Sequence, residues 1–168
     1  NILIASGYTG IITQGKSITL TGLTQAGGTF TSGAYSFDSS GNILRHGGTF
    51  NATSATMYVK GSWANYGGTF TPGSGTVTFN GSIAQAFTPG SSYYNVTISN
   101  TTNPVTLGGN LALASGGALT INTNATLAAG AYTLTVLTTL TNNGLITTGG
   151  TGANLVITPA NLGSVTFT

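Results

Sequence analysis

Few residues in this 168-residue chain could do acid–base, metal or nucleophilic chemistry: one carboxylate, Asp38; one histidine, His46; three cations, Lys16, Arg45 and Lys60; and no cysteine. Glycoside hydrolysis needs two carboxyl groups flanking the scissile bond, and Asp38 has no second acid to work with. A serine triad would have to join His46 and Asp38 to a distant serine, and nothing resembles a nucleophile elbow. One histidine and one carboxylate fall short of a zinc or calcium ligand set. The glycine-rich segments lack the lysine of a phosphate-binding loop, so glycine here marks corners. The chain therefore reads as a non-enzyme with no cofactor and no metal, and His46 reads as a polar surface residue beside Arg45.

All five side chains that could carry charge near neutrality lie within the first 60 positions, so the sequence pI of about 9.1 reports three isolated cations and no basic patch. That argues against nucleic acid as a partner. No apolar run approaches the ~20 residues of a membrane-spanning helix, and the alternating runs of roughly three to five residues are shorter than the ~9 to 11 of a membrane-barrel strand. Acid unfolding mostly protonates paired carboxylates, so a chain with one acidic side chain is expected to keep its stability across mildly acidic and mildly alkaline pH. Weak repulsion between nearly neutral surfaces favours association of identical copies.

The elements that carry these residues are announced by a repeat. Gly-Gly-Thr-Phe occurs at Gly27, Gly47 and Gly67, 20 residues apart each time. A fixed period of this length in a chain of Thr, Val, Ile, Phe and Gly marks a solenoid. Aligned on the motif, further columns emerge: Gly41, Gly61 and Gly81; Phe37, Met57 and Val77; Ser39, Val59 and Phe79; then Ile43, Trp63 and Ile83. The alternation in Thr76 to Phe79 puts Val77 and Phe79 on one face and the threonines on the other. Ser17 to Ala26 reads as a slightly shorter turn of the same kind, with Ile18, Leu20 and Leu23 facing inward.

From Phe87 onward the motif blurs, but alternating pairs continue. Leu107 to Leu127 and Leu119 to Leu140 keep a 20- to 21-residue spacing. Gly116, Gly130 and Gly144, 14 apart, leave open a two-sided coil for the second half. Helix is excluded by composition and by the lack of a 3.6-residue period. The four prolines sit beside turn-forming residues and mark corners. The expected fold is all-β, one single-stranded parallel β-helix over residues 1–168, with about 20 residues per turn and roughly eight turns. Clear repeats span 17–86 and irregular turns span 87–168.

Several side chains could serve structure or binding. Phe30, Phe50 and Phe70 should stack into an aromatic ladder, with Ile43, Trp63 and Ile83 forming a second inward column. Tyr93 and Tyr94 are adjacent, so a strand would turn one of them outward as a ligand contact. Five N-glycosylation triplets begin at Asn51, Asn80, Asn95, Asn100 and Asn124, close to the number that composition yields by chance. Thr-x-Thr pairs such as Thr29/Thr31, Thr76/Thr78 and Thr139/Thr141 are of the kind some ice-binding solenoids display. Threonine is also favoured on outward strand faces, and the pairs do not share one repeat position.

The stretch Gly67 to Ser82, with Tyr94 to Asn100 and Gly108 to Leu113, resembles repeat modules of large secreted bacterial surface proteins, including adhesin-like and autotransporter-passenger-like β-helices. The resemblance covers roughly Gly61 to Thr168. It implies a right-handed parallel β-helix outside the cell and supplies no catalytic residues. Without an initiating Met, Asn1 is expected to follow a cleaved leader or to be the edge of a fragment. Both chain ends read as strands, and an uncapped solenoid invites another coil onto its edge. The functional expectation is a self-assembling extracellular structural protein, a homopolymer forming a filament or surface layer at the cell surface. The alternative is a glycan-binding module of an adhesin; ice binding is the third reading.

Overall fold

Short runs of β-favouring residues bounded by glycine each form a strand, and each buries alternate side chains. Thr76–Phe79 seals Val77 and Phe79 inside and leaves Thr76 and Thr78 at the surface. The computed structural model describes residues 1–149 and 155–157, and among these every regular element is a strand. Successive strands of one side pair in parallel about 20 residues apart, winding the chain into a β-solenoid of about eight turns.

Three sheets wall the coil. The first, ten-stranded, runs along one side through Ile2–Ile4, Leu23–Gln25, Ile43–Asn51, Trp63–Thr71, Gln85–Thr88, Val105–Leu107, Thr126–Gly130 and Leu145–Thr148. The second has seven strands, from Ile18–Leu20 to Thr139–Asn142. The nine-residue strands Ile43–Asn51 and Trp63–Thr71 bend around a corner at the Gly-Gly pair, where the register slips by a bulge. The second half of Ile43–Asn51 pairs with Thr29–Thr31, which pairs in turn with Ile11–Thr13, to begin the third side. A four-stranded sheet from Ser92–Tyr93 to Leu155–Ile157 continues that side.

Inward columns stack like on like. Phe30, Phe50 and Phe70 lie in register, with ring centroids 5.1 and 5.9 Å apart. Trp63 meets Phe70 edge-on at 5.4 Å, closing the gap between two sides. On the second sheet the columns Phe37–Met57–Val77–Val96–Leu119–Leu140 and Ser39–Val59–Phe79–Ile98–Ile121–Asn142 follow the pairing residue by residue.

Ile83 departs from its expected place. It is 63% exposed, and Phe87 takes the position over Trp63. That rung is 24 residues long, because extra residues loop out at the corner after Gly81 and carry Ile83 away from the core. Gln85 then turns inward, donating to the carbonyls of Val59 (2.8 Å) and Gly61 (2.6 Å) and accepting from Gly81 N and Asn100 Nδ2. Leu127 likewise stacks on Val105 and not on Leu107, because that rung has 22 residues. The second half keeps three sides, so the 14-residue glycine spacing does not reflect a two-sided coil.

Phe50 is fully buried within the aromatic column. Phe50→Ala is expected to lower unfolding stability by roughly 3 to 5 kcal/mol. Ile83→Ala, at an exposed corner, should stay within about 0.5 kcal/mol of wild type. Denaturant titrations of the two variants check both values.

Candidate functional site

Two residues before each Gly-Gly pair stands a polar side chain, Gln25, Arg45 and Asn65, and all three point into the interior. They stack in register across successive rungs. Gln25 Nε2 donates to Thr49 O at 2.9 Å, and Arg45 Nη2 repeats that bond one rung later to Thr69 O at 2.8 Å. Arg45 Nε donates to Gln25 Oε1 and Arg45 Nη1 to Asn65 Oδ1, at 3.3 and 2.9 Å. The guanidinium carbon lies 5.7 Å from the ring centroids of both Phe50 and Phe70. Thus the buried cation is held by neutral acceptors and aromatic faces.

The glycines make this possible. Gly28, Gly48 and Gly68 take φ of +56°, +71° and +80°, a region that side chains resist. A Cβ on Gly48 would collide with the carbonyls of Gly27 and Gly28 one rung below. The tight corner leaves Gly27, Gly28 and Gly48 carbonyls within reach of the ladder's donors.

The first coil presents a different surface. Ile2–Ile4, Ile11–Thr13 and Ile18–Leu20 each pair on one side only among the described residues. Between them opens an apolar cavity of about 470 Å³ lined by Ile2, Ile12, Ile18 and Phe30, with Gln14 and Lys16 at its rim. Gln14 is 6% exposed; its Nε2 donates to Ser36 O at 2.8 Å, while its buried Oε1 has no donor.

The outer wall is mostly hydroxyl and amide. Thr78, Thr97, Thr120 and Thr141 form an outward column on four consecutive strands of the second sheet. Thr76/Thr78 and Thr139/Thr141 thus share one side, while Thr29/Thr31 and Thr69/Thr71 lie on another. Lys60 Nζ meets Asp38 Oδ2 at 2.9 Å on the surface, where such a pair adds little stability. His46 is exposed as expected and stacks on Tyr66 at 5.4 Å. Tyr66 itself is 66% exposed.

Two of the candidate contacts require correction. Tyr93 is fully buried: its ring continues the aromatic column 4.9 Å from Phe70, and its hydroxyl donates to Pro89 O at 2.9 Å, so it meets no external ligand. Tyr94 is its half-buried neighbour, with its hydroxyl over the Gly116 corner. Asn100 is also buried, its Nδ2 donating to Ile83 O and Gln85 Oε1 and its Oδ1 accepting from Thr102 and Asn103, which removes it as a glycosylation site in the folded chain. Asn51, Asn80 and Asn95 are half-buried and Asn124 is exposed.

No family model, curated protein or solved structure matches this chain. The functional reading therefore rests on its own geometry. The polar ladder and Gln14 were not picked out by sequence reasoning. The available signal was the recurrence of a polar residue at a fixed offset from Gly-Gly, within an otherwise apolar inward column.

Replacing Arg45 by Met strands the acceptors of Gln25 and Asn65 in the interior, and is expected to destabilise the fold by about 3 kcal/mol. Burial holds the Tyr93 phenol well above its ordinary 10.0, partly opposed by the Arg45 charge. The unfolded chain therefore releases this proton first as pH rises, so the contribution of Tyr93 is complete below pH 10.0 and is lost above it. Denaturation midpoints should stay level from about pH 5 to 9 and fall beyond about pH 10. In Tyr93→Phe that alkaline fall should be shallower.

Proposed function

We propose that this chain is a structural subunit of an extracellular assembly, its solenoid stacking end to end on identical copies to build a filament or surface layer. The observation that carries this reading is the mouth of the first coil, where three strand edges surround an apolar cavity. A further coil of the same fold would bring a parallel backbone partner to each edge. It would also cover Ile2, Ile12 and Ile18, half-buried at this rim, each gaining on the order of 1 kcal/mol from the additional burial. Gln14 Oε1 waits for a donor there. On another side of the coil, Gln25 Oε1 has the same need, and Arg45 of the next rung meets it. The chain from residue 61 to 168 bears no charged side chain, so copies approaching end to end meet little repulsion.

A second reading, a glycan-binding module of a surface adhesin, is favoured by the exposed His46–Tyr66 stack, since a sugar ring can lie against an aromatic face. Electron microscopy of purified chain separates the two. Assembly predicts fibres with an axial repeat of roughly 40 Å, eight rungs at the inter-strand spacing, and their loss in Ile12→Asp with the circular dichroism spectrum retained. Dispersed wild-type monomers that bind polysaccharide, and lose binding in Tyr66→Ala, would favour the second reading.

A further inference from the structure

We infer that the folded chain presents one fully exposed acceptor for N-linked glycan transfer, at Asn124, and that the fold restricts the other four triplets. This inference is independent of end-to-end assembly, because Asn124 lies on a lateral corner of the coil, between strands Ala118–Ile121 and Thr126–Gly130.

Glycan transfer requires an asparagine amide free to enter an enzyme's site, together with the hydroxyl two residues later. Asn124 is exposed and is the non-glycine residue with positive φ among the described residues, +64°. It sits in a tight turn closed by a bond from Ala125 N to Asn122 O at 3.0 Å, a conformation asparagine tolerates. Its side chain makes no hydrogen bond among the described residues. It borders a shallow depression of about 360 Å³ with Thr126, the hydroxyl of the triplet, and Asn143 and Gly144 of the next rung. An attached sugar would have room there without displacing the core.

Three of the remaining triplets are engaged by hydrogen bonds, and Asn80 is partly covered. Asn51 ends a strand and donates to Thr31 Oγ1 at 3.2 Å, while its Thr53 is 1% exposed and accepts from Ala55 N. Asn80 is half-buried, with Oδ1 sealed from solvent. Asn95 lies in a strand; its Oδ1 accepts from Ala118 N at 3.0 Å, which ties it to the next rung. Asn100 is enclosed with Gln85.

In the transfer, the Asn124 amide nitrogen attacks the anomeric carbon of an oligosaccharide carried on a polyprenyl diphosphate. The N-glycosidic bond forms, the carbon–oxygen bond to the diphosphate breaks, and the diphosphate leaves with the electron pair. The amide gives one proton to the transferring enzyme's base, and no oxidant or reductant takes part.

The test uses purified folded chain, an oligosaccharyltransferase that glycosylates synthetic peptides of all five triplets, and its lipid-diphosphate-linked donor, with occupancy read by peptide mass spectrometry. Occupancy at Asn124 is expected to exceed that at each other triplet by roughly tenfold or more, the factor that about 1.4 kcal/mol of local opening would impose. Asn124→Gln and Thr126→Ala should each abolish the added mass while keeping the wild-type circular dichroism spectrum. An unmodified Asn124 in the folded chain, or equal occupancy at any of the other four, overturns the inference.

Discussion

Among the described residues, each strand after the first coil is placed by the backbone ladder of the rung beneath it. Parallel strands at the ~4.8 Å spacing leave no freedom to shift one coil against the next without breaking a whole row of hydrogen bonds. Side chains in one column are therefore forced into contact, and each column must be made of residues that tolerate their own kind. Phe on Phe, Val on Val and Gly on Gly satisfy that demand. The corners are the most restrictive places, since a Cβ on Gly48 or Gly68 would enter the backbone of the rung below.

The polar ladder shows how the same constraint handles a charge. Arg45 is fully buried and has no carboxylate partner, an arrangement that would be severely destabilising with its donors unmet. Here the stacked neighbours at the same offset, Gln25 and Asn65, supply acceptor oxygens, and the bent Gly-Gly corners supply carbonyls. The ladder also marks register. A slip of one residue would turn Arg45 outward and drive one of its strand neighbours, Leu44 or His46, into its place. In the 24-residue rung, Gln85 and Asn100 form a comparable internal cluster around the looped-out corner, closed by amide hydrogen bonds.

Outside, the molecule is unusually quiet. The Lys60–Asp38 pair and the His46–Tyr66 stack lie in the first half, and the later wall is largely threonine, asparagine and small residues, with single exposed apolar side chains such as Tyr132 and Leu137. At the mouth of the first coil, unpaired strand edges and apolar surface meet. The proposed end-to-end assembly draws on those two properties together, and a glycan at Asn124 would sit beside the stacking axis.

Much of the fold was legible before any coordinates. The Gly-Gly-Thr-Phe interval set the rung length, and the alternation in segments such as Thr76 to Phe79 set which side chains face inward, because both properties are local and periodic. The 14-residue glycine spacing left a two-sided coil open for the same reason: it is periodic, but those glycines mark different corners. The errors began where a rung changed length. Ile83 kept its place in the count yet lost its place in space, since residues added at a corner advance the numbering without advancing the strand. Tyr93 lay among turn residues, where alternation is too short to assign a face, and its burial follows from Phe70 lying across from it. The amino-acid sequence by itself determined the period, the inward faces and the absence of paired carboxylates. Only the tertiary structure decided which rung lay over which, so that Gln25, Arg45 and Asn65 met inside and Asn124 alone of five like triplets stood exposed, because burial and partnership arise from neighbours 20 or more residues away.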